Sequence, residues 1–298
     1  MLKIVKFNIT PTSQRFHPVR FAVKIQLLSR AVVKIHFYKY QGAGNDFILI
    51  DNRDLNVGYN DPKLISRLCD RRFGIGGDGI IFLQNRDGYD FEMVYYNADG
   101  RPSSMCGNGG RCIVAFAKHL RIIDSEAEFV AVDGPHHAKI SESGDWVSLQ
   151  MIDVETITMD GDAYILNTGS PHYIKLTDGL KEKNVYQEGY AIRNNNTYKA
   201  EGINVNFVEP IDGGYFVRTF ERGVEDETFA CGTGVTAVAL AMAKHNHQTG
   251  HLNTPIKVLG GNLNIRFDYD GQKFTHIFLE GPAVKVFEGN VETPDSRN

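Results

Sequence analysis

The sequence predicts an α+β protein in two similar halves, each a curved, mostly antiparallel sheet wrapped around one central helix. Three observations predict this fold class. Short segments of alternating apolar and polar residues recur along the 298-residue chain, separated by glycine, asparagine and aspartate turns. Helical patterns are few. Two of them are apolar runs of similar composition, and each run follows a Cys-Gly-X-Gly loop.

The alternating segments indicate the strands in chain order. The predicted strands are residues 34–40, 80–83, 91–96, 146–151 and 214–220. Helices are predicted at residues 62–69, in the run after Cys106, in a polar segment near 180–185 and in the run after Cys231. Strands therefore dominate, and each half has one apolar helix around which its sheet can curve.

We expect residues 33–152 and 283–298 to form the first domain and residues 153–282 the second, because the strand at 283–287 should return to the first domain. Residues 1–32 are predicted to be an N-terminal extension, either disordered or upstream of the natural start. Residues 1–45 contain five lysines and three arginines and no acidic residue, but they lack the serine-rich composition of an organellar transit peptide. The active site is expected in the cleft between the two domains.

The two cysteine loops contain the predicted catalytic residues. Cys106 is followed by Gly-Asn-Gly and Cys231 by Gly-Thr-Gly, and each loop opens a helix. Glycine lets backbone N–H groups approach a ligand closely, and the positive end of a helix favours an anion or a thiolate. A free cysteine has a pKa of about 8.5, so a modest downward shift would bring each thiol close to working pH. The pair therefore predicts a site in which two thiols transfer protons.

Other roles for these cysteines are a buried structural thiol or a disulfide. The four cysteines stand at positions 69, 106, 112 and 231, with no Cys-X-X-Cys motif and no zinc-ligand spacing. We therefore predict reduced thiols in a cytoplasmic protein, and no metal.

A glycine-rich segment at residues 74–79 matches G-x-G-x-x-G, but the residues after it read as a strand. A dinucleotide-binding loop must be followed by a helix, so we predict no nicotinamide or flavin site.

The composition is that of a soluble globular protein, with 42% hydrophobic residues, 23% charged residues and a net charge of −4. Nothing in this balance indicates a nucleic-acid partner. The longest apolar stretch, residues 237–243, is far shorter than the roughly 20 residues that a membrane-spanning helix needs. We predict neither a nucleic-acid nor a membrane partner.

Several motifs in order resemble those of the diaminopimelate epimerases, over about residues 34–290. They are YQGAGNDF at 40–47, RFGIGGDG at 72–79, YNADG at 96–100, MCGNG at 105–109, GSPH at 169–172, GINV at 202–205, and RTFERG at 218–223 with ACGTG at 230–234. Any one of these motifs would be weak, whereas the ordered set is specific.

The resemblance implies a cofactor-independent epimerase that interconverts LL-2,6-diaminopimelate and meso-diaminopimelate for lysine and peptidoglycan precursor biosynthesis. Cys106 and Cys231 would lie on opposite faces of the substrate's α-carbon, one removing a proton and the other supplying one. Without pyridoxal phosphate, carbanion charge must be stabilised electrostatically. The resemblance assigns the α-carboxylate to the backbone N–H groups of four residues: Gly107, Asn108, Gly232 and Thr233.

The resemblance also implies how the far end of the substrate is bound. Asn45, Asn97 and Asn204 would supply amide hydrogen bonds. Glu221 would bind an ammonium, and Arg222 would hold a carboxylate in a bidentate grip. Ser170 would bind the substrate, and His172 would either line the cleft or be a structural histidine. Three departures stand out: Ser170 where many members carry asparagine, one extra residue between Arg222 and Cys231, and Gly79 where some members have a polar side chain.

Alternatives from other classes remain open. A proline racemase-like enzyme would use the same thiol pair on a smaller substrate, but the distal polar residues would then be unpaired, at about 1–3 kcal/mol each. A related isomerase with a carboxylate base fits the two cysteines poorly. A non-catalytic protein that binds small anions at the same helix starts is the third alternative. The family resemblance further implies a homodimer.

Overall fold

The computed structural model describes residues 32–55, 57, 61–103 and 105–294. The predicted N-terminal extension lies outside the described residues, except for Val32, which begins the first strand. The predicted boundaries of the two domains stay a prediction.

The first half contains seven strands and two helices. In chain order they are β1 (Val32–Gly42), β2 (Asn45–Asp51), α1 (Pro62–Cys69), β3 (Gly79–Gln84), β4 (Phe91–Asn97), α2 (Gly107–His119), β5 (Glu126–Ala131), β6 (Gly134–Ile140) and β7 (Trp146–Gln150).

The rest of the described chain contains ten strands and two α-helices. They are β8 (Thr158–Asp160), β9 (Ala163–Asn167), β10 (Pro171–Leu176), α3 (Val185–Arg193), β11 (Asn204–Ile211), β12 (Gly214–Glu221), β13 (Asp226–Thr228), α4 (Gly232–His245), β14 (Gly250–Val258), β15 (Gly261–Tyr269), β16 (Phe274–Pro282) and β17 (Val284–Pro294).

All five predicted strands are present, as β1, β3, β4, β7 and β12, and the helices predicted at 62–69 and after the two cysteines are α1, α2 and α4. The helix predicted near residues 180–185 is wrong in position. A single 3-10 turn spans Leu180–Glu182 after Gly179, which has a φ of 64°, and α3 begins only at Val185. The reason is a local cap, because the Asn184 side chain accepts a hydrogen bond from the backbone N–H of Gln187.

The strand pairing repeats. In the first half β2 and β3 are parallel, β3 and β4 antiparallel, and β4 and β5 parallel. The second half follows the same order with β10 and β11, β11 and β12, and β12 and β14. In each half, the connection between the strands of the second parallel pair contains a helix that begins at a cysteine. This helix is α2 between β4 and β5, and α4 between β12 and β14. The similar loops seen in the sequence therefore belong to one topological unit used twice.

Each of these two helices is the centre of a core. Ile113, Val114 and Phe116 of α2 are fully buried in the first core, and the α4 segment 235–243 is buried all round in the second. A helix rich in alanine and valine suits this position because its small apolar side chains allow the surrounding strands to pack on every side of it. The halves are joined by antiparallel pairing of β7 with β16, and β17 returns to pair with β1.

Candidate active site

The site is built where helices α2 and α4 begin. Cys106 and Cys231 are the N-cap residues, and both have an extended backbone with φ values of −110° and −115°. The first residues of the two helices, Gly107 and Gly232, meet directly. A Cβ placed on Gly232 would lie 3.2 Å from the Gly107 Cα and 2.9 Å from the Cδ2 of Leu279. Glycine is therefore required for this approach, which brings both cysteine-bearing helix starts to one place.

The two thiols have different partners. The Cys106 Sγ lies 3.7 Å from Asn45 Oδ1, to which it can donate. The Cys231 Sγ lies 3.5 Å from the hydroxyl of Thr233. Cys106 is half-buried, and Cys231 is 6% exposed.

The direction of the thiol pKa values corrects the expectation from sequence. Burial raises the pKa of Cys106 to about 11, although the N–H groups of Gly109 and Asn108 act in the opposite direction. Burial also raises the pKa of Cys231. The carboxylate of Glu221 raises both thiol pKa values further. The helix starts do favour thiolate, but loss of water outweighs them, so both thiols are protonated at neutral pH.

Glu221 itself is a half-buried acid whose charge acts on both thiols. Burial raises the pKa of its carboxyl group, and its Oε2 accepts a hydrogen bond of 2.9 Å from Thr228. Among the ion pairs of the described residues none involves Glu221, so its charge is available to a cation in the cleft.

Asn45 is oriented by a carboxylate. Its Nδ2 donates to Asp78, and its Oδ1 therefore turns towards Cys106 and accepts from Asn108 Nδ2 at 3.2 Å. Asp78 is held in turn by Arg71 at 2.7 Å. No role for Asp78 is predicted from the sequence, and its contact with Asn45 depends on the fold. The glycine-rich segment is followed by the predicted strand, β3, and not by a helix.

His172 lies behind the cleft and is completely buried. Its Nδ1 lies 3.1 Å from the amide nitrogen of Asn206, which can only donate, so the ring proton is on Nε2 and points to Ser170 Oγ at 3.0 Å. The Ser170 hydroxyl also lies 3.2 Å from the Thr233 hydroxyl. Burial lowers the pKa of His172 to about 3, which keeps the ring neutral. Sequence reasoning missed Asn206.

Asn204 and Arg222 are linked by the backbone. Asn204 Oδ1 accepts from the Arg222 N–H at 2.9 Å, and its Nδ2 donates to Ser170 Oγ and to the Pro171 carbonyl. Both amide donors of Asn204 are thus used inside the protein. The Arg222 side chain is exposed, donates Nη1 to the Glu201 carbonyl at 3.1 Å, and has no carboxylate within ion-pair distance among the described residues.

Asn97 is exposed at the end of β4, and its Oδ1 accepts from the Tyr95 hydroxyl at 2.9 Å. The Tyr95 ring also explains why residue 79 is glycine, because a Cβ there would lie 2.5 Å from Tyr95 Cε2. The Asn97 side chain is exposed, so its amide group is accessible to a ligand. Tyr95 was not predicted from the sequence.

Arg111 is a further residue that sequence reasoning missed, although it stands in the segment that follows Cys106. It is fully buried and donates to the Gly107 carbonyl and to Asn108 Oδ1. Hydrogen bonds link Cys106 to Asn45 and Asn108, and they link Cys231 through Thr233 and Ser170 to His172 and Asn204. His172 and Asn204 are buried and form an inner layer, whereas Asn97 and Arg222 are exposed and form an outer layer. His172 therefore has a structural role and does not line the cleft, because its ring is completely buried.

In the described part of the chain, no three His, Cys, Asp or Glu side chains are grouped so that they could hold a metal ion. No helix in the same residues is long and apolar enough to span a membrane.

Comparison with known proteins identifies the family. The profile of "Diaminopimelate epimerase" matches residues 37–157 and again residues 164–286, once for each half. A diaminopimelate epimerase of Flavobacterium psychrophilum is 52% identical over 255 residues, which is 85% of this chain and 99% of that protein. One of Aquifex aeolicus is 37% identical over 279 residues, covering 86% of this chain and 98% of the relative.

Solved structures share the fold at low identity. A PhzF-family phenazine biosynthesis protein of Bacillus anthracis superposes with a TM-score of 0.69 at 14% identity, over 87% of this chain and 99% of that one. A hydroxyproline epimerase from Agrobacterium vitis gives a TM-score of 0.64 at 13% identity, over 91% and 95% of the two chains. These matches show the fold. The profile match and the sequence relatives show that the chain belongs to the diaminopimelate epimerase family.

Proposed function

We propose that the protein interconverts LL-2,6-diaminopimelate and meso-diaminopimelate, with Cys106 and Cys231 as the two acid–base groups. One observation carries the proposal. The two helices that begin at these cysteines meet at Gly107 and Gly232, so the two thiols flank a single small site. The enzyme is an isomerase of the lysine pathway, as its close relatives are.

The chemistry is a proton transfer through a carbanion. One cysteine, as thiolate, takes the α-hydrogen as a proton, and the electron pair of the broken C–H bond stays on the α-carbon. The other cysteine, as thiol, gives its proton to the opposite face and becomes the thiolate. The configuration inverts, and atoms and charge balance without an oxidant or reductant.

Activation of the thiols has to come with the substrate, because both are protonated in the free site. The Glu221 carboxylate opposes ionisation of both cysteines. An ammonium of the substrate bound at Glu221 would neutralise that effect and lower both thiol pKa values. Burial then strengthens the remaining electrostatic interactions. The same closed site that keeps the free thiols neutral would favour thiolate once the cation is present.

We assign the α-carboxylate to the backbone N–H groups at the two helix starts, those of Gly107 and Asn108 on one side and Gly232 and Thr233 on the other. An anion at two helix N-termini is favoured by free N–H groups and by the positive ends of both helix dipoles. The same groups stabilise negative charge as it develops at the α-carbon.

We assign the distal amino-acid end to the outer layer of the site. Arg222 and the exposed amide of Asn97 suit a carboxylate, and Glu221 suits an ammonium. The inner residues Asn45, Asn204 and His172, with Ser170, shape and hold this surface through the hydrogen bonds described above. Support comes from Arg222, which is exposed and has no acidic partner among the described residues.

We also propose that the protein acts in the cytoplasm as a homodimer. Support for the dimer comes from β17, where Val284, Val286 and Phe287 are 39%, 56% and 46% exposed. Such neighbouring apolar side chains on one strand are typical of a surface that a second subunit covers. Sedimentation of the parent and of Phe287→Glu tests this, and a monomeric parent contradicts it.

Deuterium incorporation tests the proposed activity directly. The protein is incubated in D₂O with LL-diaminopimelate or with L-proline, and α-deuterium is measured by mass spectrometry. We expect deuterium and inversion at the α-carbon of diaminopimelate, and none in proline. Deuterium in proline alone would favour the smaller-substrate racemase. Binding of diaminopimelate without exchange would favour a non-catalytic anion-binding protein.

A further inference from the structure

We propose that Arg111 is a positioning residue for this proton transfer: its buried guanidinium fixes the side chain that ties the two cysteine loops together and supplies a positive charge behind Cys106. The inference rests on the proposed function, since it concerns how the Cys106 thiol is prepared for proton transfer.

The first observation is a buried charge without an acidic partner. Arg111 is 0% exposed, and within the described residues no carboxylate lies at ion-pair distance from it. Its donors go instead to neutral oxygens: Nη1 to the Gly107 carbonyl at 3.2 Å, Nη2 to Asn108 Oδ1 at 3.0 Å, and Nε to the Pro282 carbonyl at 3.5 Å. An arginine buried in this way is costly, so the fold keeps it at the expense of stability.

The second observation is the slot that holds it. A Cβ on Gly42, in β1, would lie 3.3 Å from Arg111 Nη2, and one on Gly281, in β16, would lie 3.4 Å from Nε. Glycines on two strands thus leave room for a planar guanidinium. Lysine could carry the charge into this slot, but it could not make the same fork of hydrogen bonds.

The third observation is what Arg111 orients. Because Asn108 Oδ1 accepts from Arg111, the amide must point its nitrogen the other way, towards Asn45 Oδ1 at 3.2 Å and the Ala230 carbonyl at 2.9 Å. Ala230 immediately precedes Cys231. The hydrogen-bond chain from Arg111 through Asn108 therefore joins the helix of one thiol to the loop of the other.

The charge acts on one thiol more than on the other. Burial lowers the pKa of Arg111 to about 10, so the guanidinium stays charged at neutral pH. The charged and titratable groups that act on or face Cys106 are Arg111, Glu221, Tyr95, Cys112 and Cys231. Of these only Arg111 is a cation, and it lowers the pKa of Cys106. It is not among the largest influences on the pKa of Cys231. Cys231 is therefore an internal reference.

Thiol alkylation in the full chain separates this role from a general loss of structure. Iodoacetamide labelling of Cys106 and Cys231 is followed by peptide mass spectrometry over a pH series, for the parent, Arg111→Met, Arg111→Lys and Lys118→Met. Lys118→Met removes a cation from the far end of the same helix. At a fixed pH below the thiol pKa, the labelling rate is proportional to the thiolate fraction, so one pKa unit changes it about tenfold.

We expect Arg111→Met to slow labelling of Cys106 roughly threefold or more at fixed pH, which corresponds to about half a pKa unit, and to leave the Cys231 rate nearly unchanged. Arg111→Lys should keep the Cys106 rate near that of the parent but reduce α-deuterium exchange, because charge is kept and the Asn108 orientation is lost. Lys118→Met should match the parent. If Arg111→Met does not fold, Arg111→Gln, which also removes the charge, replaces it in the labelling series.

An unchanged Cys106 rate in folded Arg111→Met, or an equal change at both cysteines, would overturn the electrostatic role. Full exchange activity in Arg111→Lys would overturn the orienting role. Labelling needs no substrate, so it reports on Arg111 even if the parent fails to exchange diaminopimelate. A failure of the proposed function is thereby distinguished from a failure of this inference.

Discussion

Cys106 and Cys231 occupy the same place in the two halves, yet their neighbours differ. Cys106 faces the oxygen of Asn45, whereas Cys231 lies beside the hydroxyl of Thr233. An amide oxygen can only accept a hydrogen bond, so it favours the thiol form of Cys106. A hydroxyl can donate to a thiolate. The two faces of the site are therefore chemically distinct. This is compatible with a reaction whose substrate and product are different stereoisomers, because each thiol acts on a different one.

At the residue scale, replacing either thiol should stop epimerisation. We expect Cys106→Ala and Cys231→Ala each to reduce turnover by at least the 10²–10⁴-fold typical of a general acid–base group. Little volume is removed, so the melting transition should change little. Cys69→Ala is the matched control, because Cys69 is also buried but lies in a different core cluster, and it should stay active. Full turnover in either site variant contradicts a mechanism with two thiols.

Arg222 gives a second prediction at this scale. Arg222→Lys keeps the charge but loses the planar fork, so diaminopimelate should bind more weakly by about 1.5–3 kcal/mol. An analogue without the distal carboxylate should bind poorly to the parent and lose little more in the variant. Measuring the dissociation constants of both ligands for both proteins gives a thermodynamic cycle, which isolates the contact between Arg222 and the distal carboxylate. Equal weakening of both ligands would mean that Arg222 supports the fold or the α-carboxylate instead.

At the element scale, the site depends on how closely α2 and α4 approach. A Cβ on Gly107 would lie 2.8 Å from Leu279 Cδ2 and 3.5 Å from the Gly232 Cα. Gly107→Ala should therefore displace Leu279, which is fully buried against both helix starts, and a misplacement of about 1 Å can reduce turnover about 10²-fold.

The matched control for that change is in the same helical turn. A Cβ on Gly109 meets only the flexible ends of Ile81 and Met93, at 3.1 and 3.3 Å. We expect Gly109→Ala to retain most activity, because these side-chain ends can shift and alanine favours a helix. Turnover and thermal unfolding of both variants are measured together. Equal activity losses would show that any methyl group in this turn is harmful, whatever the approach of the helices.

At the scale of the whole molecule, one buried histidine should affect acid stability. Burial lowers the pKa of His172 from 6.5 to about 3. The unfolded chain then binds a proton that the folded chain excludes. The free energy of unfolding is therefore unaffected by this proton above pH 6.5, and it decreases as the pH falls from 6.5 towards 3. In that range His172 should make the free energy of unfolding change by up to about 1.4 kcal/mol per pH unit. Denaturant unfolding should show a shallower slope in His172→Gln, and an unchanged slope would contradict the burial of a neutral ring.

Oxidation should act on the whole molecule as well, because a Cys106–Cys231 disulfide would lock two helix starts together. We expect mild oxidation to abolish turnover and a reducing agent to restore it. Peptide mapping should find Cys106 crosslinked to Cys231, with Cys69 and Cys112 still free. Inactivation that reduction does not reverse, in the absence of that crosslink, would mean that the thiols do not face each other.

The fold class was predictable from sequence because its signals are local. Alternation marks strands such as β4, and an apolar run after a cysteine–glycine loop marks α2 and α4. The start of α3 was misjudged because a single side-chain cap at Asn184 decides it. Pairings such as β7 with β16 and β1 with β17 join residues far apart in the chain, and local patterns do not specify such partners.

The sequence by itself determined the family, the two catalytic cysteines expected from its motifs, and the glycines that flank them. Only the tertiary structure decided the state of the site: that both thiols are neutral, that His172 is buried behind Ser170, and that Arg111 and Asp78 orient the residues around Cys106. The reason is physical. Residue type and spacing can be read from the sequence, but desolvation and hydrogen-bond partners depend on which distant segments the fold brings together.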